Sequence, residues 1–421
     1  MHAKRFWLAL AILAMVLGVP GAWAQEEPIT LVVWDQFDEP GADEGMKMMI
    51  AAFEEANPGV RIEREVIDFQ DMHVVLRTAL ASGTGPDIFY YGGGAGFAGP
   101  LYEAGLLLPL DEAYETMGWD HIYEWTKRDS TFDGKVYGIG NELEFIGVYY
   151  NMDIFEELEL EVPTTYAEFT AVCDKLLEAG YIPIAFADGP GWPAYHQFSI
   201  FANNIAGKEK IEEALFGEGR WDDPDFVKAI QLFFVDMNQA GYFIPDTTAV
   251  SYDDGNALFY NGMAAMHMTG TWLIDRVVAD ADFEVGWFFF PSIDGSEVLP
   301  PGGLGSVYFV SSATEHPDTA IAFLDYLFDP VNAPIWMEVM DRVPPYPVNT
   351  EELELNDLLE FAVEALETVQ LGYNIDVLTP QSFNKTMSDG FQAILLGLKT
   401  PEEVTAQLQA DMEAYRAERS Q

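Results

Sequence analysis

Residues 86–105 read PDIFYYGGGAGFAGPLYEAG, an apolar run that opens into a cluster of glycines. Within it Gly94, Gly96 and Gly99 satisfy the G-x-G-x-x-G spacing of a dinucleotide-binding loop. That fingerprint carries meaning only inside a βαβ unit, where a strand enters the loop, a helix leaves it and a second parallel strand follows. Here PLYEAG leaves room for one or two helical turns before LLLPLD, and Pro109 removes a ladder donor from that next apolar run. A parallel crossover takes a dozen or more residues. The nicotinamide reading fails on that count. What remains is a strand whose carboxyl end opens into a glycine-rich loop, the position at which open α/β sheets hold ligands. Gly92, Gly93 and Gly94, having no side chains, would let a ligand approach the backbone N–H groups closely.

The flanking sequence supports that placement. Upstream, ITLVVWDQFDEP begins as a buried strand and stops at Pro40 and Gly41. Between Asp43 and Ala56, Met46, Met49, Ile50 and Phe53 recur at helical spacing until Asn57-Pro58-Gly59 ends the helix. VRIEREVI then reads as a strand and DMHVVLRTALASG as a helix, an alternation that predicts a largely parallel sheet with helices on its faces. Downstream, NELEFIGVYYN places Glu142, Glu144, Ile146 and Val148 on one face and Leu143, Phe145 and Tyr149 on the other. A strand of that length can pass from one domain to another. Helices are expected over 165–179 and 224–240, strand character over 283–291, and mostly helix from His316 onward.

Length and charge narrow the class. Lys4 and Arg5 precede an apolar run from Phe6 to Val19, and Ala22-Trp23-Ala24 forms a small-x-small site before Gln25, the pattern of an export signal over residues 1–24. The run is shorter than the roughly 20 residues that span a bilayer. The remaining stretch of about 400 residues exceeds what one core commonly holds, so two domains are expected. The whole chain carries 20 Lys and Arg against 70 Asp and Glu; removing residues 1–24 takes away two basic and no acidic residues, leaving 18 − 70 = −52. Such a field repels nucleic acid and anionic lipid. The single cysteine, Cys173, lies in a helical pattern far from the cleavage site, which points neither to a disulfide framework nor to a lipid anchor. A soluble periplasmic protein is expected.

Taken in order, ITLVVWDQF, FEEANPGV, LASGTGPDIFYY, AGLLLPLDE, VYGIGNELEFIGVYYNMDIFEEL, VPTTYAEFTAVCDKLLEAGYIPIA, FYNGMAAMHMTGTWLID, HPDTAIAFLDYL and LLGLKTPEEVTAQLQ resemble the extracellular solute-binding proteins of ABC sugar importers, the family that includes maltodextrin-binding proteins. The resemblance implies an α/β, two-lobed periplasmic-binding-protein fold of type II with a ligand cleft between the lobes. Its lobes would comprise 25–142 plus 303–343 and 143–302 plus 344–421, with crossings near Glu142–Gly147, Pro300–Gly305 and Val343–Pro347. It also implies a sugar ligand, ABC permease transmembrane subunits as partners, a monomer, no nucleic acid and no cofactor.

The same resemblance marks a site. Trp272 in TGTW matches the tryptophan that stacks on sugar in related proteins, and an indole suits the apolar C–H face of a pyranose. Tyr91 matches an aromatic sugar contact, with Gly92 and Gly93 directly after it. Glu144, seven residues before Asn151, matches a ligand-contacting glutamate, and a carboxylate accepts paired bonds from vicinal hydroxyls. Gln36 and Asp38 match further polar contacts. Trp192 and His196 fall where the second lobe presents an aromatic group, Gly303 lies at a crossing, and Arg342 can bind ligand or neutralise hinge carboxylates. Two departures count against maltose itself: Gly94 replaces an expected acidic residue, and Glu39 an expected basic one.

Two alternatives stay open. Glu142 and Glu144, projecting from one strand face about 7 Å apart, have the separation of an inverting glycosidase pair. In a chain with one acidic residue in six, however, roughly twelve such i, i+2 pairs are expected by chance. H-E-x-x-H, P-loop and G-x-S-x-G patterns are absent from the sequence and the six histidines are scattered. The other alternative is a non-sugar solute on the same fold. The charge makes one expectation independent of the ligand: screening by NaCl should raise the unfolding midpoint between low and molar salt. A thermal melt series checks it, and a flat or falling midpoint removes adaptation to ionic strength as the reason for the acidity.

Overall fold

The computed structural model describes residues 28–419; the export signal expected over 1–24 lies outside them. The chain forms two mixed sheets. Strands β1 (Ile29–Asp35), β2 (Val60–Val66) and β3 (Ile88–Gly92) come first, separated by helices Pro40–Ala56 and Phe69–Ser82. After a short hairpin of β4 (Thr131–Phe132) and β5 (Lys135–Val136) come β6 (Gly138–Gly140) and the long β7 (Leu143–Asn151). Then follow β8 (Ile182–Ile184), β9 (Ala264–Gly270), β10 (Val285–Phe288), β11 (Pro301–Leu304), β12 (Ser306–Val310) and β13 (Gly372–Tyr373). The first sheet has the order β2-β1-β3-β12-β6 and the second β13-β11-β7-β9-β8, with β10 also paired to β7.

The parallel arrangement expected from the early alternation holds for β1 with β2 and β3. It ends at β12, which runs antiparallel to both β3 and β6. β6 and β12 belong to segments that pass between the sheets, so their direction is set by the crossing rather than by a βαβ unit. β1 ends at Asp35, before the proline expected to stop it, and Pro40 starts a helix: it is the first residue of Pro40–Ala56, where its missing N–H would have had no helical partner. Strand character over 283–291 contracts to the four residues of β10.

One core cluster runs from the helices of the first sheet to β7 and the helix after β9, and a second lies within the second lobe. Met46, Met49 and Phe53, one face of the first helix, are buried with Phe323, Leu324 and Trp336. In the second lobe Phe198, Phe201, Trp221, Phe226 and Phe233 pack with Phe391 from the C-terminal helices, and Cys173 is fully enclosed among them. Among the described residues no helix is long and apolar enough to cross a membrane.

The opening of the glycine loop is held by Asp87. Its Oδ2 accepts from the Val32 N–H at 2.9 Å, its Oδ1 from the Thr314 hydroxyl at 2.5 Å, and its carbonyl from the Ser311 N–H at 2.8 Å. One residue thereby ties β1 and the end of β12 to the start of β3. Asp87→Ala should cost about 1–3 kcal/mol by stranding the Val32 N–H and the Thr314 hydroxyl, measured as a lower urea midpoint with unchanged slope.

Candidate functional site

Four ring-bearing residues stand at or beside helix starts, two of them, Phe69 and Trp272, shortly after strands β2 and β9, the positions that face a cleft in open α/β sheets. Phe69 opens helix Phe69–Ser82 and Tyr252 opens helix Tyr252–Tyr260. Trp192 is the cap residue of helix Pro193–Phe216, and Trp272 lies in the single turn that follows β9. Their rings form a row across the lobes. From the first lobe, Tyr91 meets His73 at 4.9 Å between centroids and His73 meets Phe69 at 4.4 Å. Phe69 meets Trp192 of the second lobe at 5.9 Å. Trp192 continues to Tyr252 at 4.5 Å and to His196 at 5.2 Å, and His196 reaches Trp272 at 5.0 Å.

The rings are fixed by hydrogen bonds. Trp272 Nε1 donates to the Tyr252 hydroxyl at 3.1 Å, which pairs with Thr269 Oγ1 at 2.7 Å. The Trp272 ring covers Gly270, where a β-carbon would lie only 1.8 Å from it. Burial keeps both histidines neutral, pushing His73 down to about 4 and His196 to about 3. It also pushes the Tyr91 phenol up, so Tyr91 stays protonated. The Tyr91 hydroxyl and His73 Nδ1 share a hydrogen bond at 2.7 Å, and His73 Nε2 is buried without a hydrogen-bond partner among the described residues.

The loop after β1 supplies polar groups. Arg64 on β2 reaches over it, with Nε 2.6 Å and Nη2 2.8 Å from the Asp35 carboxylate and Nη2 donating to the Phe37 carbonyl at 2.8 Å. Clamped in this way, the loop presents Gln36, whose buried Nε2 is unpartnered, and Asp38, which is exposed.

Where the chain crosses between sheets, one guanidinium pairs with two carboxyl groups and lies in the field of a third, Glu144. Arg342 Nε is 3.3 Å from Glu142 Oε2 and Nη2 is 3.6 Å from Glu39 Oε2. Glu142 Oε1 also accepts from the Tyr90 hydroxyl at 3.0 Å and from Asn141 Nδ2 at 3.2 Å. Burial holds the Glu144 carboxyl well above the usual range, and the neighbouring Glu142 raises it further. Burial likewise pushes Glu39 up to about 7, against the pull of Arg342. Glu39 Oε2, Arg342 Nε and Arg342 Nη1 remain buried without a hydrogen-bond partner.

The glycines differ in what surrounds them. A β-carbon on Gly92 would lie 2.6 Å from the Phe97 ring, and one on Gly93 would lie 2.8 Å from the Asp129 carbonyl oxygen. Packing within the first lobe thus accounts for both. Gly303, opposite Glu144 in the pairing of β11 with β7, has φ +142 and only Arg128 and Trp125 within 4 Å of its β-carbon position. The structure therefore brings Tyr91, Trp192, His196 and Trp272 into one ring row. It gathers Glu144 and Arg342 at the crossing and leaves Gln36 and Asp38 on the loop between. Sequence reasoning did not single out Phe69, His73 or Tyr252. Ser251 caps Asp254 N–H in front of Tyr252, so a cap signal in SYDD could have placed that ring at a helix start.

Among the described residues no cluster of three or more His, Cys, Asp or Glu is placed to hold a metal ion. A cavity of about 540 Å³ near Asn203, Lys208, Glu212 and Gln370 shares no residue with the ring row.

Residues 38–334 match the family model of the bacterial extracellular solute-binding protein. Among curated relatives, the chain is 26% identical over 320 residues to the multiple sugar-binding protein of Streptococcus mutans, covering 72% of each chain. It is 26% identical over 339 residues to the alpha-glucosides-binding periplasmic protein AglE of Rhizobium meliloti, covering 73% of this chain and 70% of that one. In structure it matches a chitin oligosaccharide binding protein with a TM-score of 0.83 and 26% identity, over 93% of this chain and 100% of the other. The maltose/maltodextrin-binding domain MalE of Bdellovibrio bacteriovorus bound to maltotriose has the same fold, with a TM-score of 0.75 and 19% identity over 92% and 100%. With two mixed sheets joined at a polar crossing and a family match over most of its length, the chain belongs to the bacterial extracellular solute-binding protein family, whose members bind rather than catalyse.

Proposed function

We propose that this protein captures a saccharide between its lobes and delivers it to the transmembrane subunits of an ABC importer. The observation that carries the reading is the ring row from Tyr91 to Trp272, flanked by buried polar atoms that lack hydrogen-bond partners among the described residues. Rings suit the C–H faces of sugars, and polar atoms without a hydrogen-bond partner among the described residues, such as Gln36 Nε2, His73 Nε2 and Arg342 Nη1, suit hydroxyls, each of which donates and accepts. The names of relatives, which include binders of multiple sugars and alpha-glucosides, support the same class. The glycosidase alternative finds Glu142 committed to Arg342, Tyr90 and Asn141, an arrangement for holding charge rather than moving a proton to a leaving group.

In this reading the protein is a periplasmic monomer, and the surface formed when the lobes close is what the permease engages. Gly94 and Glu39, where maltodextrin binders carry an acidic and a basic residue, direct the search to sugars other than maltose. A thermal-shift screen over mono-, di- and trisaccharides identifies the ligand, since binding to the folded form alone raises the midpoint.

Two outcomes follow once a sugar is identified. Trp272→Ala should weaken binding by about 1–3 kcal/mol in calorimetry while the variant remains folded; unchanged affinity would take Trp272 out of the site. Saturation with that sugar should reduce the radius of gyration in small-angle scattering by drawing the lobes together. A radius that stays the same at saturation argues against a hinge-closing receptor.

A further inference from the structure

The first helix of the first lobe, Pro40–Ala56, begins directly after the loop that carries Gln36, Asp38 and Glu39, and its own sequence leaves it uncapped. Glu39 occupies the cap position but makes no side-chain hydrogen bond to the first turn. Asp43, the acidic residue of that turn, is engaged by Arg64 at 2.6 Å and by Lys47. The free N–H groups of Gly41 and Ala42 instead donate to Asp275 Oδ2, each at 3.1 Å. Asp275 is 7% exposed and lies on helix Ile274–Asp280, which follows β9 of the second sheet through a single turn.

We infer that Asp275 is a positioning residue of the cleft, a carboxylate of one lobe that caps a helix of the other and so biases the lobes toward their joined arrangement. This deepens the saccharide-cleft reading and rests on it for the role of the Gln36–Glu39 loop. Three observations support it. Gly41 has no room for a side chain: a β-carbon would lie 2.2 Å from the Val339 carbonyl oxygen and 3.0 Å from Asp275 Oδ1. Ile274 and Val277, flanking Asp275 on its helix, belong to the same core as Met46 and Met49 of the capped helix. Arg276, the adjacent cation, is paired with Asp280 at 2.7 Å, so the helix N-terminus is the favourable electrostatic partner that Asp275 faces. Its field contributes to raising Glu39 to about 7 and Asp341 to about 6, after burial and against the pull of Arg342.

The experiment needs no sugar, which separates its failure from failure of the saccharide screen. Cys173, the single native cysteine, is buried, so spin labels can be directed to an exposed pair, Glu55→Cys in the first lobe and Lys399→Cys in the second. Pulsed dipolar spectroscopy on the full chain should show a short interlobe distance whose population falls about fivefold in Asp275→Ala, the ratio that corresponds to losing a helix cap. Asp275→Asn, which keeps an acceptor oxygen, should fall between. Gly41→Ala, which separates the same groups by steric pressure, should shift the distribution in the same direction and keeps the test open if Asp275→Ala fails to fold. Hydrogen exchange at the Gly41 and Ala42 amides should quicken in parallel. Distance distributions that superimpose across these proteins overturn the inference.

Discussion

Arg342 is enclosed where the chain passes between its two sheets, and the local geometry of both lobes follows from placing one positive charge among Glu39, Glu142 and Glu144 out of water. Two ionised carboxylates beside each other would be prohibitive in such a place; a single guanidinium with a raised carboxyl pKa on Glu144 and Glu39 makes the cluster tolerable. Removing one partner from a buried group of this kind typically costs about 3–5 kcal/mol, because the remaining charge is left without compensation. The cluster also explains why Gly305 has no side chain: its β-carbon would lie 2.0 Å from the Glu144 carboxyl. The crossing is thus built around charge, beside an apolar cluster that joins the first helix to β7 and to Ile274 and Val277.

The ring row is a product of topology. Strands that end at the cleft hand over to helices whose first residues face it, so a ring at a helix start is presented there with little further design. Phe69 follows β2 in this way, and Trp192 and Tyr252 stand at the starts of their helices as well. The same arrangement explains why the row combines residues far apart in sequence, and why buried, neutral histidines fit within it: His73 and His196 behave as flat polar rings rather than as cations.

Much of this was legible beforehand because it rests on short-range patterns. The strand ITLVVWD, the PDIFYYG strand leading into glycines and the long alternating strand from Leu143 each appear where apolar periodicity places them. Pro109 and the short PLYEAG segment excluded the dinucleotide fold before any contact was known. What periodicity could not reveal is pairing across lobes. His73 reads as an ordinary helix residue, and its position beside Tyr91 depends on how helix Phe69–Ser82 lies on the sheet. Asp275 reads as surface acid in a chain with 70 acidic residues, and only its distance to Gly41 sets it apart. Glycine was over-read in one respect: at Gly92 and Gly93 the missing side chains make room for Phe97 and the Asp129 backbone.

The crossings themselves restrict how the lobes can move. Between β6 of the first sheet and β7 of the second stand only Asn141 and Glu142, and between β11 and β12 only Gly305. The two tethers are laced together, Asn141 N–H to the Ser306 carbonyl at 3.0 Å and Gly305 N–H to the Glu142 carbonyl at 3.3 Å, while Leu143 N–H bonds the Val343 carbonyl of the third segment at 2.8 Å. A one- or two-residue link spans at most about 3.5 Å per residue, so the lobes cannot slide apart without breaking these bonds. Two short tethers side by side define a line, and turning about that line is the displacement that leaves both intact. The protein therefore behaves as a mechanism with one principal degree of freedom, in which any contact far from the line acts with a long lever arm.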